Sequence, residues 1–409
     1  MRTQFRNISK RIAGIRFRAY FRIIMCSVVL FGVAGGIPER YPPVVLSAEE
    51  PEGSGGGELI FKNDLPPLTE RQRADIQARI DLNILTLQTQ GRLPVHPAPG
   101  LIRMDWPLEA ANGMTDPGYY GISAFVDHDP VIGQLKDYMC GTRSYDLTSG
   151  HNHTGTDFFP TPFLWNKMDN NHVAIIAAAP GTIVYKQDGN YDRNCAMSST
   201  PWNAVYIQHA DGSVAWYGHM KNGSVTTKAV GDSVNAGERL GFIGSSGGST
   251  GPHLHFELHD PASQIIDPYS GPCNNIPSWW SAQRPYRDSA VNKLTTGIAA
   301  PVLPDCSPET SNASTTFAPG SKIYFSTYYR DQVTGQTSKY TIYRPDSSVY
   351  STWNHNSPGT YSASYWYWWL TMAASEPLGV WRFEVFYNGQ TYSVDFHVGS
   401  VVFVPLTRK

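Results

Sequence analysis

Gly241–Glu257 reads G-F-I-G-S-S-G-G-S-T-G-P-H-L-H-F-E, five glycines within eleven residues and then a strict alternation from His253 to Glu257. Glycines at that density suit a tight loop in which backbone approaches a ligand or another strand. The alternation is a β-strand signature, because residues i and i+2 share a face. His253 and His255 therefore point one way, together with Glu257, while Leu254 and Phe256 point into a core. Two imidazoles side by side on a strand make a candidate metal or acid–base site; a satisfied surface pair is the alternative.

Working outward, the flanking sequence is β-rich. Val173–Ala179, Gly181–Lys186, Asn203–His209, Val214–Tyr217 and Gly241–Ile243 precede His253–Leu258, separated by Pro-Gly, Asp-Gly and Asn-Gly turn pairs. Short strands without intervening helical periodicity predict an all-β domain, placed at 119–300. A linker rich in Pro, Ser, Thr and Asn follows at 301–317. Beyond it Ser321–Tyr329, Ser338–Tyr343, Ser362–Trp369, Gly379–Tyr387 and Gln390–Val398 alternate again, and Tyr387-Asn388-Gly389-Gln390 is a hairpin signal. These strands predict a small immunoglobulin-like β-sandwich over 318–409. The run Tyr365–Trp369, Y-W-Y-W-W, holds more aromatics than one core face takes. Core and inter-domain contacts are the main expectation for them, with an exposed sugar- or peptide-binding platform as the alternative.

Residues 49–118 read as a linker or prosegment-like region. Residues 49–60, with Gly-Ser-Gly-Gly-Gly at 53–57, are expected to form a flexible spacer. One helix is expected over 69–90, with Thr69 and Gln72 as a capping box and Ile76, Ile80, Ile84 and Leu87 as its apolar stripe. Packing on the domain is the plain expectation for it, and covering an active site before maturation the more specific one.

The formal net charge of -2 hides a segregation. Seven Lys/Arg fall within the first 22 residues, before an uncharged run at Ile23–Ile37. That pattern predicts a signal peptide, or an uncleaved N-terminal anchor, within 1–48. The remainder carries 24 basic and 33 acidic side chains, which gives no support for nucleic acid as a partner. Beyond the leader, Cys140, Cys195, Cys273 and Cys306 form an even set without Cys-x-x-Cys spacing. Two disulfides of open pairing and an exported location, periplasmic or extracellular, follow.

Two further pieces complete the opening motif. His153-Thr154-Gly155-Thr156-Asp157 sets an imidazole and a carboxylate around a glycine turn, and Tyr217-Gly218-His219 ends a strand. Catalytic zinc sites commonly use three N/O protein ligands and leave a position for water. The economical set is His153, Asp157 and one histidine of the 253–255 pair. The remaining histidines then flank the water.

In this order the motifs resemble the M23 metallopeptidases of the lysostaphin/LytM type, whose pattern is H-x-G-x-D, a strand ending in histidine, a glycine-rich loop and H-x-H. Gly181-Thr182-Ile183-Val184 and Val230-Gly231-Asp232-Ser233-Val234 fit the same pattern. The resemblance covers about 150–270 and implies a LytM-type antiparallel sheet. It also implies one Zn2+ per chain on His153, Asp157 and His255, with His219 and His253 assisting catalysis. One takes the proton from water and the other stabilises the developing oxyanion. His253 is the preferred base because it shares a strand with His255, but the division stays open. The implied function is a zinc-dependent endopeptidase cutting peptide bonds of bacterial peptidoglycan through a metal-activated water. Which bond is cut is not readable. The rivals are a non-catalytic LytM-like activator of a cell-wall amidase, and a wall-binding protein whose C-terminal domain carries the main role. Membrane contact is expected only through an uncleaved anchor, and the oligomeric state is not readable.

His151 competes with His153, and the glycine spacing favours His153. His128 is expected to be structural, and His209 and His259 to be surface or supporting groups. Glu257 is expected either to hydrogen-bond an imidazole or to lie exposed. The segment Phe158–His172 is longer than a minimal member of the family needs, and either walls the substrate groove or caps an apolar edge.

Overall fold

The computed structural model describes residues 49–61, 67–98, 100, 102–146, 152–196 and 198–399. The expected leader at 1–48 and the competing His151 lie outside the described residues. Two helices, Glu70–Thr89 and Leu164–Asp169, stand among twenty strands in these residues, so the fold is all-β as expected.

The central sheet is antiparallel. Its strands run, edge to edge, Gly121–Ala124, Thr156–Phe159, Leu254–His259, Val214–Gly218, Ala204–Gln208, Gly181–Gln187 and Ser233–Val234, with Ile265–Ile266 also paired to Leu254–His259. Alternation decides what each face carries. Leu254, Phe256 and Leu258 join Val205, Ile207, Ala215 and Tyr217 in a core closed by a second sheet of Arg239–Phe242, Val173–Ile176 and Leu108–Ala110. The opposite face carries Trp202, Tyr206 and Trp216, and onto it the helix Glu70–Thr89 lays Ile76, Ile80 and Leu87. Each such side chain buried contributes roughly 2 kcal/mol as an upper bound. Thr69 and Gln72 form the expected capping box at its start.

The C-terminal body is a two-sheet sandwich. Thr316–Phe317, Gln390–Val398, Gly379–Tyr387, Thr337–Tyr343 and Val349–Asn356 form one sheet. The other holds Lys322–Arg330 and Ala363–Thr371 and is completed from outside the expected segment. Ala290–Gly297, read as the tail of the 119–300 domain, pairs along Lys322–Arg330. Residues 53–58, read as a flexible spacer, pair antiparallel with Ala363–Thr371, from Gly53 opposite Trp369 to Glu58 opposite Ser364. The glycines are what this strand needs. A Cβ on Gly53 would sit 2.1 Å from the Trp369 ring and one on Gly55 2.3 Å from the Tyr367 hydroxyl. Rings leaning over the strand thus override glycine's poor strand propensity.

Val349–Asn356, polar and not expected as a strand, pairs with Thr337–Tyr343. The linker at 301–317 ends in the short strand Thr316–Phe317 and is tied down at Cys306, which is disulfide-bonded to Cys195. Cys140 is bonded to Cys273, holding the segment before His153. The aromatic run splits by alternation: Trp366 and Trp368 face the sandwich core, while Tyr365, Tyr367 and Trp369 lie half-buried on the other face.

Candidate metal centre

Strand register brings the separated motifs together. His255 lies directly opposite Asp157 on one neighbouring strand and opposite Gly218 on the other. Side chains opposite one another in a sheet lie about 5 Å apart at Cβ, so Asp157 and His255 share a face, His219 follows at the strand end, and His153 precedes by one turn. His153, Asp157 and His255 each offer a ligand atom, all within 4.8 Å of one another. Gly155 must be a glycine, since a Cβ there would lie 2.7 Å from both the His255 ring and the Phe256 carbonyl oxygen.

Hydrogen bonds fix which nitrogen each ring turns inward. His153 Nδ1 donates to the Phe125 carbonyl at 2.7 Å, leaving Nε2 3.3 Å from both Asp157 Oδ1 and His255 Nδ1. His255 places Nε2 3.0 Å from Glu257 Oε2 and Nδ1 2.9 Å from Asp157 Oδ1. His219 Nδ1 donates to the Ser246 carbonyl at 2.6 Å, and His253 Nδ1 to that of Gly251 at 2.9 Å. The His219 and His253 rings lie 4.1 Å apart. His219 Nε2 is buried without a hydrogen-bond partner among the described residues, and its backbone is left-handed at φ 60°. That conformation is uncommon for a non-glycine residue and concentrates at functional sites.

All five groups are fully buried. Burial by itself raises the Asp157 carboxyl, but the adjoining His153 and His253, with hydrogen bonds from His153 and His255, hold it well below the usual carboxylate range. Burial pulls His255 down, yet its bonds to Asp157 and Glu257 push it up to about 9. Between those two carboxylates a cation is therefore favoured. His219 is lowered well below the usual imidazole range by burial and then by His253 and His255, and His253 is lowered chiefly by burial. Both stay neutral near pH 7, with Nε2 able to accept a proton. Two nitrogens and one carboxylate oxygen around a cation-favouring point are a donor set that zinc takes.

Groups outside the motifs enclose the centre. Tyr145 stacks on His153 at 4.3 Å. Phe61 lies 5.0 Å from the His253 ring and stacks on Phe159 at 5.4 Å. Phe61, from the chain just before the helix Glu70–Thr89, thus lies over His253. The glycine-rich loop is packed tightly, as its glycine density predicts: a Cβ on Gly244 would lie 2.5 Å from the Lys221 backbone, and one on Gly247 2.7 Å from Trp202. A cavity of about 370 Å³ lies beyond Gly251, walled by Phe61, Phe159, Leu164, Trp165, Pro304 and Tyr365. The segment Phe158–His172 therefore does wall a cavity beside the centre, through Phe159 and the helix Leu164–Asp169.

Glu257 is fully buried and bonded to His255, the first of its two expected fates. His259 also reaches it, at 2.6 Å. The sequence reading missed Arg73, which donates to both Glu257 oxygens at 2.7 and 2.5 Å from the helix 184 positions upstream. It sits on a polar stretch of helix with no local sign of its target. His128 pairs with Asp267 at 2.7 Å and His209 with the Pro180 carbonyl at 2.9 Å, both away from the centre.

Comparison with known proteins agrees with this geometry. The model of peptidase family M23 matches residues 151–268. The chain is 43% identical over 82 residues to the DD-carboxypeptidase/endopeptidase Mpg of Neisseria meningitidis, covering 20% of this chain and 16% of that protein. It is 34% identical over 122 residues to the glycyl-glycine endopeptidase ALE-1 of Staphylococcus capitis, 30% of this chain and 28% of that one. To lysostaphin of Staphylococcus simulans it is 33% identical over 122 residues, covering 30% of this chain and 21% of that one. The matches thus span less than a third of each relative. Residues 151–268 of this chain are a peptidase family M23 domain.

Proposed function

We propose that the chain is an exported zinc-dependent endopeptidase that hydrolyses peptide bonds in bacterial peptidoglycan. The observation that carries the proposal is the convergence of His153 Nε2, Asp157 Oδ1 and His255 Nδ1 on one point, beside His219 and His253. Zinc held by those three groups supplies Lewis acidity toward a scissile carbonyl and lowers the pKa of water there toward 7. The chain's own residues do the rest. His219 or His253 accepts the proton of the attacking water at Nε2, and the imidazolium so formed donates to the developing oxyanion and then releases the proton to the departing amine nitrogen. Asp157 keeps the centre's charge low enough for those transfers. Two disulfides and likeness to endopeptidases support an exported site of action.

The test is mass spectrometry of purified peptidoglycan digested by wild type and by His253→Ala. Wild type is expected to release muropeptides with a new amino terminus, which names the bond, and the variant to release far less. No release by wild type with zinc present, as expected of a non-catalytic amidase activator, ends the proposal.

A second role, wall binding by the C-terminal body, has its own observation. Tyr365, Tyr367 and Trp369 stand in a row on the outer sheet face, with neighbouring ring centroids 6.3 and 6.2 Å apart. Flat rings in a row suit stacking against sugar faces. The sandwich includes residues 53–58 and 290–297, so binding is tested on the full chain. Tyr367→Ala combined with Trp369→Ala should weaken retention on sacculi; unchanged retention removes the role.

A further inference from the structure

Glu257 is an ionised carboxylate in a fully buried place, and such a group is costly unless it is paired and hydrogen-bonded. Its two oxygens take five contacts. Oε2 meets Arg73 at 2.5 Å, the Thr154 hydroxyl at 2.6 Å and His255 Nε2 at 3.0 Å; Oε1 meets Arg73 at 2.7 Å and His259 Nε2 at 2.6 Å. Arg73 alone among these partners carries a permanent charge. Its guanidinium grips both oxygens in the two-pronged geometry that fixes a carboxylate's plane. It also donates to Thr154 at 2.6 Å and lies over the Trp216 ring at 5.4 Å. Thr154 is the neighbour of His153 and Glu257 is bonded to His255, so the same cation holds groups adjoining two of the proposed ligands.

We infer that Arg73 is a positioning residue for the metal centre: it holds Glu257 so that Glu257 accepts the Nε2 proton of His255 and leaves His255 Nδ1 as the bare donor facing Asp157 and His153. This inference rests on the proposed metal reading. Without the guanidinium, Glu257 loses its only permanently charged partner and is free to tilt toward His259. His255 then loses the acceptor that selects its tautomer. Groups that hold the far nitrogen of a ligand histidine set both its orientation and its basicity. Arg73 lies outside residues 151–268, on the helix read from sequence as part of a prosegment-like region. On this reading the helix is part of the working centre.

The test measures zinc affinity by competition with a chromogenic chelator on the full chain, with thermal melting alongside. Arg73→Gln should raise the zinc dissociation constant roughly 10- to 100-fold. Arg73→Lys, which keeps the charge but not the fork, should fall between it and wild type. Ile80→Ala loosens the same helix without touching Glu257, and should lower the melting temperature while leaving affinity within about twofold, a split that a merely structural role of the helix would not give. Should Arg73→Gln fail to fold, the lysine variant decides: unchanged affinity overturns the inference and weakened affinity upholds it. Wild-type affinity in a folded Arg73→Gln overturns the inference alone. A wild-type chain that takes no zinc brings down the metal reading together with it.

Discussion

The two bodies of this molecule bury different chemistry. The sandwich closes over Phe325, Tyr340, Trp368, Trp381 and Phe383, and its buried polar groups are almost all neutral. Its buried Asp331 faces Arg143 of the other body at 2.6 Å. The central sheet of the M23 domain has a core of the same kind on one face, but on the other it encloses His153, Asp157, His219, His253, His255 and Glu257. Buried ionisable groups are weak evidence for stability, because desolvation offsets their attraction. Their concentration on one face of one sheet marks where the fold gives up stability for chemistry. The N-terminal arm joins the two regimes. Its strand at 53–58 completes the sandwich, Phe61 touches His253, and its helix supplies Arg73.

That contrast predicts opposite responses to substitution. Asp157→Asn removes the anionic ligand with little change in volume, and should cut muropeptide release roughly a thousandfold, equivalent to about 4 kcal/mol. Its melting temperature should move less than that of the sandwich variant. Trp381→Ala, which empties a fully buried indole site whose Nε1 donates to the Pro377 carbonyl, should cost about 3–5 kcal/mol of stability. Its turnover on a soluble peptide below the melting transition should stay near wild type. A stable but inactive Trp381→Ala would break the division between the two bodies.

The pH response sharpens the same contrast. In chelator-treated protein, His255 with its pKa raised to about 9 contributes stability that is complete below the unfolded value near 6.5 and is lost as pH rises through about 9. Denaturant midpoints measured across that interval should therefore fall. Zinc affinity should rise over the same interval, since a proton no longer competes for Nδ1. Asp157 and Glu257, both held low, act in the other direction. Their stabilisation is present above the unfolded carboxylate range and disappears only as pH falls below about 4. A flat midpoint between pH 6.5 and 9 would contradict the buried cation site. The smallest effect is expected at the arm: Phe61→Ala should raise kcat/KM on a soluble peptide a few-fold (roughly 1 kcal/mol) by uncovering His253, and a fall in kcat/KM would make Phe61 part of the substrate cradle.

What could be read from sequence follows from the range of each interaction. Alternation is local, so the face shared by His253, His255 and Glu257 was legible, as was the capped helix. Motif order brought in His153, Asp157 and His219. The register that sets Asp157 opposite His255 was not local, nor was the pairing of Gly53–Glu58 with an aromatic strand about 310 residues later. Glycine-rich text has the composition of a linker, and only the rings of Tyr367 and Trp369 make it a strand. Val349–Asn356 escaped for a related reason: its Ser, Thr, Asn and His side chains mask the alternation in a strand at the edge of its sheet. Arg73 could not be seen because its partner is defined by how the helix crosses the sheet, which no local pattern encodes.

The central claim is tested most directly by native mass spectrometry of the full chain after zinc loading and desalting, wild type beside Asp157→Asn. One zinc per wild-type chain, and a largely metal-free variant, is the predicted result. A wild-type chain without zinc, or a variant that holds it as well as wild type, would contradict the assignment of His153, Asp157 and His255 as the metal centre.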